Sequence, residues 1–425
     1  MHPQLTPDEA RALSVAASKA FSPRTPISTQ TLFAGRWDQM RQIGEAVAQV
    51  GLHAVVFGER GVGKTSLTHV IQPLLNVLDE QSNGAERPSP RIVVRVNANG
   101  SDSFSTLWSK ALDEIYWSED KASIGLIPTP SRERVSLRQA FGLEGEITID
   151  AVRRTLAILT GSVFVFDEFD RLAKPHASAF TDLIKALSDA AISSTIILVG
   201  VADTVEGLLS DHASIGRALI QIPMPRMSEA ELTEIIHNAE RTLSVTFQPP
   251  ARAQIVRISQ GLPHFTHLLG YHALRAAADR RSREVRLDDV RKACRDAVAQ
   301  ADQTVVSMYS SATKSAQPGA KYAQVLLAAA VAAYVSSDEL GYFQPASLVA
   351  PMTRILGRSE EIAGFNQHLS QFAEAKRGSV LERAGGPRAY RFRFSQPLLP
   401  PYVILRSIRD GIISDGEVNA LLGSA

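Results

Sequence analysis

The chain has 425 residues, 44% of them hydrophobic, with 45 basic and 44 acidic side chains and a net charge of +1. That length allows two or three domains with full-sized cores, and the even charge balance excludes a global bias toward polyanions, so any nucleic-acid surface has to be a local patch. A single cysteine, Cys294, excludes a disulfide framework or a cysteine-based zinc site; with no long apolar run and no signal-peptide pattern after Met1, the sequence predicts a soluble cytoplasmic protein without a membrane partner.

Residues 1–25 read as an arm, with Pro3, Pro7 and Pro23 around an Ala-rich helical stretch from Asp8 to Ala20. A helix beginning near Arg36 follows, with Trp37, Met40, Ile43 and Val47 on one face. His53 to Phe57 is a short apolar, β-rich run. It leads into Gly58-Glu59-Arg60-Gly61-Val62-Gly63-Lys64-Thr65-Ser66, which fits G-x-x-x-x-G-K-[ST], the phosphate-binding loop. Glycines let successive backbone N–H groups curl toward phosphate oxygens. Lys64 is expected to reach the β- and γ-phosphates of ATP, and the Thr65 hydroxyl to ligate Mg²⁺. The helix after the loop adds the partial positive charge of its N-terminus, which serves ATP and ADP alike.

A polar loop at 81–90 precedes a second strand from Arg91 to Val96, and Ser103 to Trp117 has a helical pattern. The charged, Pro-interrupted stretch 119–146 takes no assignment. Ser162-Val-Phe-Val-Phe-Asp-Glu-Phe-Asp170 is a continuous apolar run ending in acids, the pattern of a strand buried on both faces with its tip at a nucleotide. This is a Walker B pattern. Asp167 is expected to hold Mg²⁺ through water, and Glu168 to act as general base on the attacking water. After a helix from Ser178 to Ala190, the apolar strand from Ser194 to Gly200 ends at Asp203 and Thr204, whose polar groups can contact a γ-phosphate. Ala218 to Ile222 closes the sheet. The alternation predicts a parallel, doubly wound α/β P-loop domain over 26–225.

Beyond Pro225 the pattern is helical. Ser228 to Glu231 is a capping box, and helices at 228–243, 249–258, 263–280 and 287–299 make a lid over 226–300. His264, His267 and His272 lie there without an acidic or cysteine partner, so they read as packing or polar contacts. Residues 301–319 read as a linker. Three helices (Lys321–Tyr334, one from Gln344, and Ser359–Ala375 with Ile362, Phe365, Leu369 and Phe372 buried) precede a hairpin that ends in Tyr390–Phe394. This order describes a winged helix over 320–410, with a tail at 411–425. Lys376, Arg377, Arg383, Arg388, Arg391 and Arg393 crowd there against Glu382 alone. Such a hairpin can straddle duplex DNA, with Arg383, Arg388, Arg391 and Arg393 as contacts, while Asn366, Gln367, His368 and Gln371 face the bases. Docking on another protein is the competing reading.

With both Walker motifs, the lid and the winged helix in place, the chain resembles AAA+ P-loop ATPases over about residues 26–405. The architecture is similar to that of origin-recognition and archaeal replication-initiator proteins. The resemblance implies that Leu32-Phe-Ala-Gly-Arg36 lies near adenine and ribose, and that Asp203 holds the sensor 1 position, where the family has Asn or a hydroxyl residue. It also implies that Gly261-Leu-Pro-His264 is the sensor 2 turn, with His264 replacing Arg. Arg217, with Arg226 as fallback, is placed as an arginine finger acting on a neighbour's γ-phosphate, which implies a homo-oligomer formed with ATP. These departures imply slow hydrolysis, with ATP as a switch. Two functions follow. One is an ATP-controlled, nucleoid-associated DNA-binding ATPase; the other is a STAND-like signalling or helper ATPase that docks a separately encoded effector or transposase-type partner.

Overall fold

A computed structural model describes residues 4–21, 35–82, 91–121, 131–202, 205–209, 215–299, 303–317, 319–338, 341–386, 389–396 and 398–422. Thr6 opens α1 (Pro7–Ala20) with a reciprocal capping box to Glu9, and α2 (Trp37–Ala48) follows. The next part alternates strand and helix: β1 (His53–Gly58), α3 (Lys64–Ser82), β2 (Val93–Asn97), α4 (Phe104–Asp113), β3 (Tyr116–Lys121), β4 (Ser131–Ser136), α5 (Leu137–Ala140), α6 (Ile149–Ile158), β5 (Val163–Asp167), α7 (Lys174–Asp189), β6 (Thr195–Val201), α8 (Val205–Leu208) and β7 (Leu219–Pro223). Then come α9 (Glu229–Leu243), β8 (Thr246–Phe247), α10 (Pro249–Ser259), α11 (Pro263–Asp279), β9 (Glu284–Val285) and α12 (Leu287–Ala299). The C-terminal part holds α13 (Gln303–Thr313), α14 (Tyr322–Val335), α15 (Val349–Leu356), α16 (Asn366–Phe372), β10 (Leu381–Ala384), β11 (Arg391–Phe394), α17 (Leu399–Arg409) and α18 (Asp415–Leu422).

Five strands form one parallel sheet in the order β2-β5-β6-β1-β7. Parallel strands need helical crossovers, which cover both faces and explain the unbroken apolar runs. Side chains alternate between faces. Val163, Val165, Ile197 and Val199 join a core that runs on into the lid and the C-terminal helices. Phe164, Phe166, Ile196 and Leu198 join a second core with α4, α6 and α7. Trp108 anchors that second core, with ring centroids 5.1 Å from both Phe164 and Phe166. Register then aligns the strand tips, so that Asn97 on β2 lies opposite Asp167 on β5.

Several expectations need correction. Trp37 is 59% exposed, because α2 buries Met40, Ile43, Ala46 and Val47 instead. The helix expected to reach Trp117 ends at Asp113; Tyr116 and Trp117 start the antiparallel pair β3–β4, whose strands take in 119–121 and 131–136 of the unassigned stretch. The lid is not purely helical, since β8 and β9 pair in parallel within it. Residues 303–313, read as linker, form α13: Val305, Tyr309 and Ala312 sit at helical spacing and bury a narrow stripe under a Ser-rich surface. Part of the tail is α18, with Leu421 and Leu422 buried. Ile362 lies on a short 3₁₀ turn and is 39% exposed, so the third helix of the winged unit shortens to α16.

The arm has a defined seat. Leu13, Ala17, Ala20 and Phe21 of the N-terminal segment are buried against α9 and α11, and the Leu5 amide donates to the Arg281 carbonyl at 2.9 Å. Phe21 lies edge-on to Phe247 and His267, and it fits because Gly270 on α11 leaves room for its ring. No helix among the described residues is long and apolar enough to cross a membrane.

Candidate functional site

The loop between β1 and α3 turns sharply at Gly61, whose φ of +91° belongs to glycine. Gly58, Gly61, Gly63, Thr65 and Ser66 are half-buried, Val62 is fully buried and Arg60 is exposed. Lys64 is buried, and its Nζ donates to the carbonyls of Gly58 (2.8 Å) and Glu59 (2.7 Å). Burial pushes its pKa down to about 8, against the opposing pull of Asp170, Asp167 and Glu59.

The tip of β5 faces this loop. Asp167 is 1% exposed; its Oδ1 accepts the Glu168 amide at 2.8 Å, while its buried Oδ2 has no hydrogen-bond partner. A buried carboxylate oxygen left in this way fits a water of a hydrated Mg²⁺, which takes few protein ligands and leans on substrate phosphates. Thr65 and Asp167 are therefore a workable pair for the ion. Glu168 sits in the left-handed region at φ +55°, and its Oε2 pairs with Arg171 at 3.1 Å. Sequence reasoning gave no role to Asp170. Its Oδ1 accepts the Val201 amide at 2.8 Å, fastening β5 to the end of β6, and it is the foremost acid acting on Lys64. The run Asp-Glu-Phe-Asp was the available signal.

Arg36 is 3% exposed, and burial lowers its pKa. Its guanidinium donates to the Val62 carbonyl (3.2 Å) and the Pro225 carbonyl, and its amide donates to Glu231 on α9 (3.2 Å). It clamps the phosphate loop to the start of the lid. The Gly261-Leu-Pro turn meets the same loop: Cβ atoms at Gly61 and Gly63 would lie 3.8 Å from Leu262 and 3.9 Å from Pro263. His264, next in line, is half-buried with its ring against Phe265. Arg217 is exposed on the turn before β7. Arg226, the fallback for the finger, is engaged within its own chain. It binds the chain's own loop, donating to Glu59 Oε2 at 3.0 and 3.2 Å and to the Gln260 carbonyl at 3.3 Å. Asp203, Arg388 and Leu32 to Ala34 fall outside the described residues.

The C-terminal unit also reaches the loop. A Cβ at Gly61 would lie 3.1 Å from Leu398 Cδ2, and one at Gly341 would lie 3.5 Å from Glu59 Oε1. Between the two units is a cavity of about 250 Å³, lined by Glu59, Arg60, Arg226, Glu382 and Arg393 among others. The cations of the hairpin do not stand against Glu382 alone. Arg391 pairs with Asp338 (3.0 Å), Arg393 with Glu382 (2.8 Å) and Lys376 with Glu374 (2.8 Å). Arg391 and Arg393 lie over the Tyr342 ring, Arg383 over Tyr390 and Arg377 over Tyr322. On α16 only Asn366 and Gln367 of the expected base-facing set are exposed; Gln371 accepts from the Tyr322 hydroxyl at 2.7 Å, and His368 packs on that ring.

The family model described as Novel STAND NTPase 1 matches residues 23–333. No curated protein matches the sequence. Among solved structures, the Cdc6p protein of Pyrobaculum aerophilum is similar at 15% identity and a TM-score of 0.44, over 93% of this chain and 99% of that one. The ORC2 protein of Aeropyrum pernix, in ADPNP-ADP complexes, is similar at 14% identity and a TM-score of 0.46, over 94% and 100%. A Walker-type ATPase of Pyrococcus abyssi is similar at 13% identity and a TM-score of 0.47, over 90% and 99%.

Proposed function

The chain belongs to the Novel STAND NTPase 1 family, and from that premise we propose that it is a nucleotide-operated switch of the signalling or helper kind. It binds ATP or ADP on the loop from Gly58 to Ser66. Lys64 neutralises the β- and γ-phosphates, loop amides hold the phosphate oxygens, and the turn at Leu262 and Pro263 closes over them. Mg²⁺, held by Thr65 and through water by Asp167, would supply charge neutralisation. Glu168 orients the attacking water, and hydrolysis is slow. Arg217 is free to approach a neighbour's nucleotide, so the triphosphate state favours a homo-oligomer.

One observation carries the switch: the C-terminal unit lies so close to the phosphate loop that a Cβ at Gly61 would come 3.1 Å from Leu398 Cδ2, and one at Gly341 would come 3.5 Å from Glu59 Oε1. A unit seated there cannot be indifferent to what the loop holds. Its release frees the surface that docks a separately encoded protein partner. Duplex DNA is the second reading, favoured by the exposure of Arg383 and Arg391 on the hairpin.

Hydrogen exchange with ADP and with a non-hydrolysable ATP analogue, read beside light scattering, tests this. Faster exchange across β10–β11 and a larger particle with the analogue are expected. Identical exchange and mass in both states would sink the switch. Labelled duplex in the same nucleotide states decides the second reading. Analogue-dependent binding that weakens steeply with salt would move the output to DNA, since each neutralised phosphate adds about 0.9 to the log–log slope.

A further inference from the structure

Glu59 occupies two cations at once. Its backbone carbonyl takes the Lys64 ammonium at 2.7 Å, and its carboxylate takes the Arg226 guanidinium through two donors at 3.0 and 3.2 Å. A triphosphate offers the same chemistry, anionic oxygens that bind an ammonium and a planar fork. Arg226 is also tied to the lid. It donates to the Gln260 carbonyl, and Gly261, at φ +77°, packs so closely that a Cβ there would come within 2.6 Å of Arg226 Cβ. The cavity between loop and hairpin opens on this pair, and Gly341 lines it so near the Glu59 carboxylate that a Cβ there would lie 3.5 Å from Oε1.

We propose that Glu59 is an internal phosphate surrogate, and that Arg226 is the residue through which the chain tells a nucleoside triphosphate from a diphosphate, on its own loop. The proposal rests on the nucleotide-site reading above and adds the regulation of that site. With no γ-phosphate the carboxylate keeps Arg226, and the lid start and the hairpin stay closed around the pair. A γ-phosphate competes for the guanidinium. Its gain shifts Arg226 away from Glu59, and the Gln260 carbonyl and the Gly341 contact carry the change to lid and hairpin. Arg60 and Arg393, lining the same cavity, keep it favourable for the displaced negative charge.

The test is calorimetric titration of the full chain with Mg²⁺ and either ADP or a non-hydrolysable ATP analogue. Glu59→Gln is expected to raise affinity for the analogue relative to ADP on the order of tenfold, the usual scale of one charged hydrogen bond. Arg226→Ala is expected to bind ADP as before and to lose the preference for the analogue. In the double variant the gain from Glu59→Gln disappears. An equal gain for both nucleotides would mean that Glu59→Gln only removes a negative charge from the loop, and would overturn the proposal. A gain that survives in the Arg226→Ala background would overturn it too. Should Arg226→Ala fail to fold, Arg226→Lys keeps the charge without the fork and is expected to keep ADP and lose most of the preference; an unchanged preference would count against the proposal. Wild-type protein that binds neither nucleotide would overturn the site reading itself, and the surrogate with it.

Discussion

Leu398 lies directly over Gly61: the C-terminal unit touches the phosphate loop at the one residue of that loop, φ +91°, where a side chain would fill the gap between them. Leu398→Ser is therefore expected to loosen the seat without touching a phosphate ligand. Release of fluorescent ADP, followed by stopped flow, should quicken about tenfold, the scale of losing roughly 1.4 kcal/mol of apolar contact. Unchanged release would show that the contact does not gate the loop.

Lys64→Ala is expected to abolish nucleotide binding. Glu168→Gln should preserve binding and stop hydrolysis, read as phosphate release over a single turnover. Full turnover in Glu168→Gln would remove that residue from its role as base.

The lowered pKa of Lys64 sets a pH dependence. Between about 8 and its ordinary 10.5 the unfolded chain carries the extra proton, so nucleotide-free stability rises with pH in that window. Binding runs the other way, because phosphate needs the ammonium. Affinity for ADP should be level below pH 8 and fall by up to about tenfold per pH unit above it. A flat profile from pH 7 to 10 would refute the shift.

His53 and His267 are buried, and burial lowers both to about 4 from 6.5. The unfolded chain binds their protons first. Stability is then expected to fall as pH drops from 6.5 toward 4, by up to about 1.4 kcal/mol per pH unit for each group. Urea melts over that range check it, and His53→Gln should flatten the slope by one proton.

Trp108→Ala removes the ring on which Phe164, Phe166 and Phe180 pack, at a cost of about 3–5 kcal/mol. Gly270→Ala acts elsewhere. Its Cβ would stand 2.5 Å from the buried Phe21 ring, so α1 should lose its exchange protection while β5 and β6 keep theirs. A uniform loss of protection would show that the arm is part of one cooperative unit.

The two Walker stretches were readable because their chemistry and burial both restrict residue choice. A loop that wraps phosphate needs glycines, and a strand covered on both faces has no polar alternation. The destinations of polar side chains were not readable. Arg226 meets Glu59 across 167 positions and Arg391 meets Asp338 across 53, so the free cations of the one-dimensional pattern are paired ones in space. Helix α13 hid for a different reason: its stripe of Val305, Tyr309 and Ala312 is outnumbered by serine and threonine. The family assignment likewise favours the STAND-like alternative over the ATP-controlled DNA-binding ATPase, since a shared strand–helix order does not fix what a winged unit binds.

The two faces of the sheet also differ in when they can be covered during synthesis. Among the described residues, the core that holds Phe164, Phe166, Ile196 and Leu198 runs from Val55 to Leu219, so it can close once little more than half of the chain has left the ribosome. The face bearing Val163, Val165, Ile197 and Val199 belongs to a core extending to Leu422. Helices α2 and α3, made earlier, already cover part of that face through Met40, Ile43, Leu67 and Val70. A nascent chain therefore carries only the remaining margin of this core through the making of some two hundred more residues, and that interval is when a chaperone would be needed.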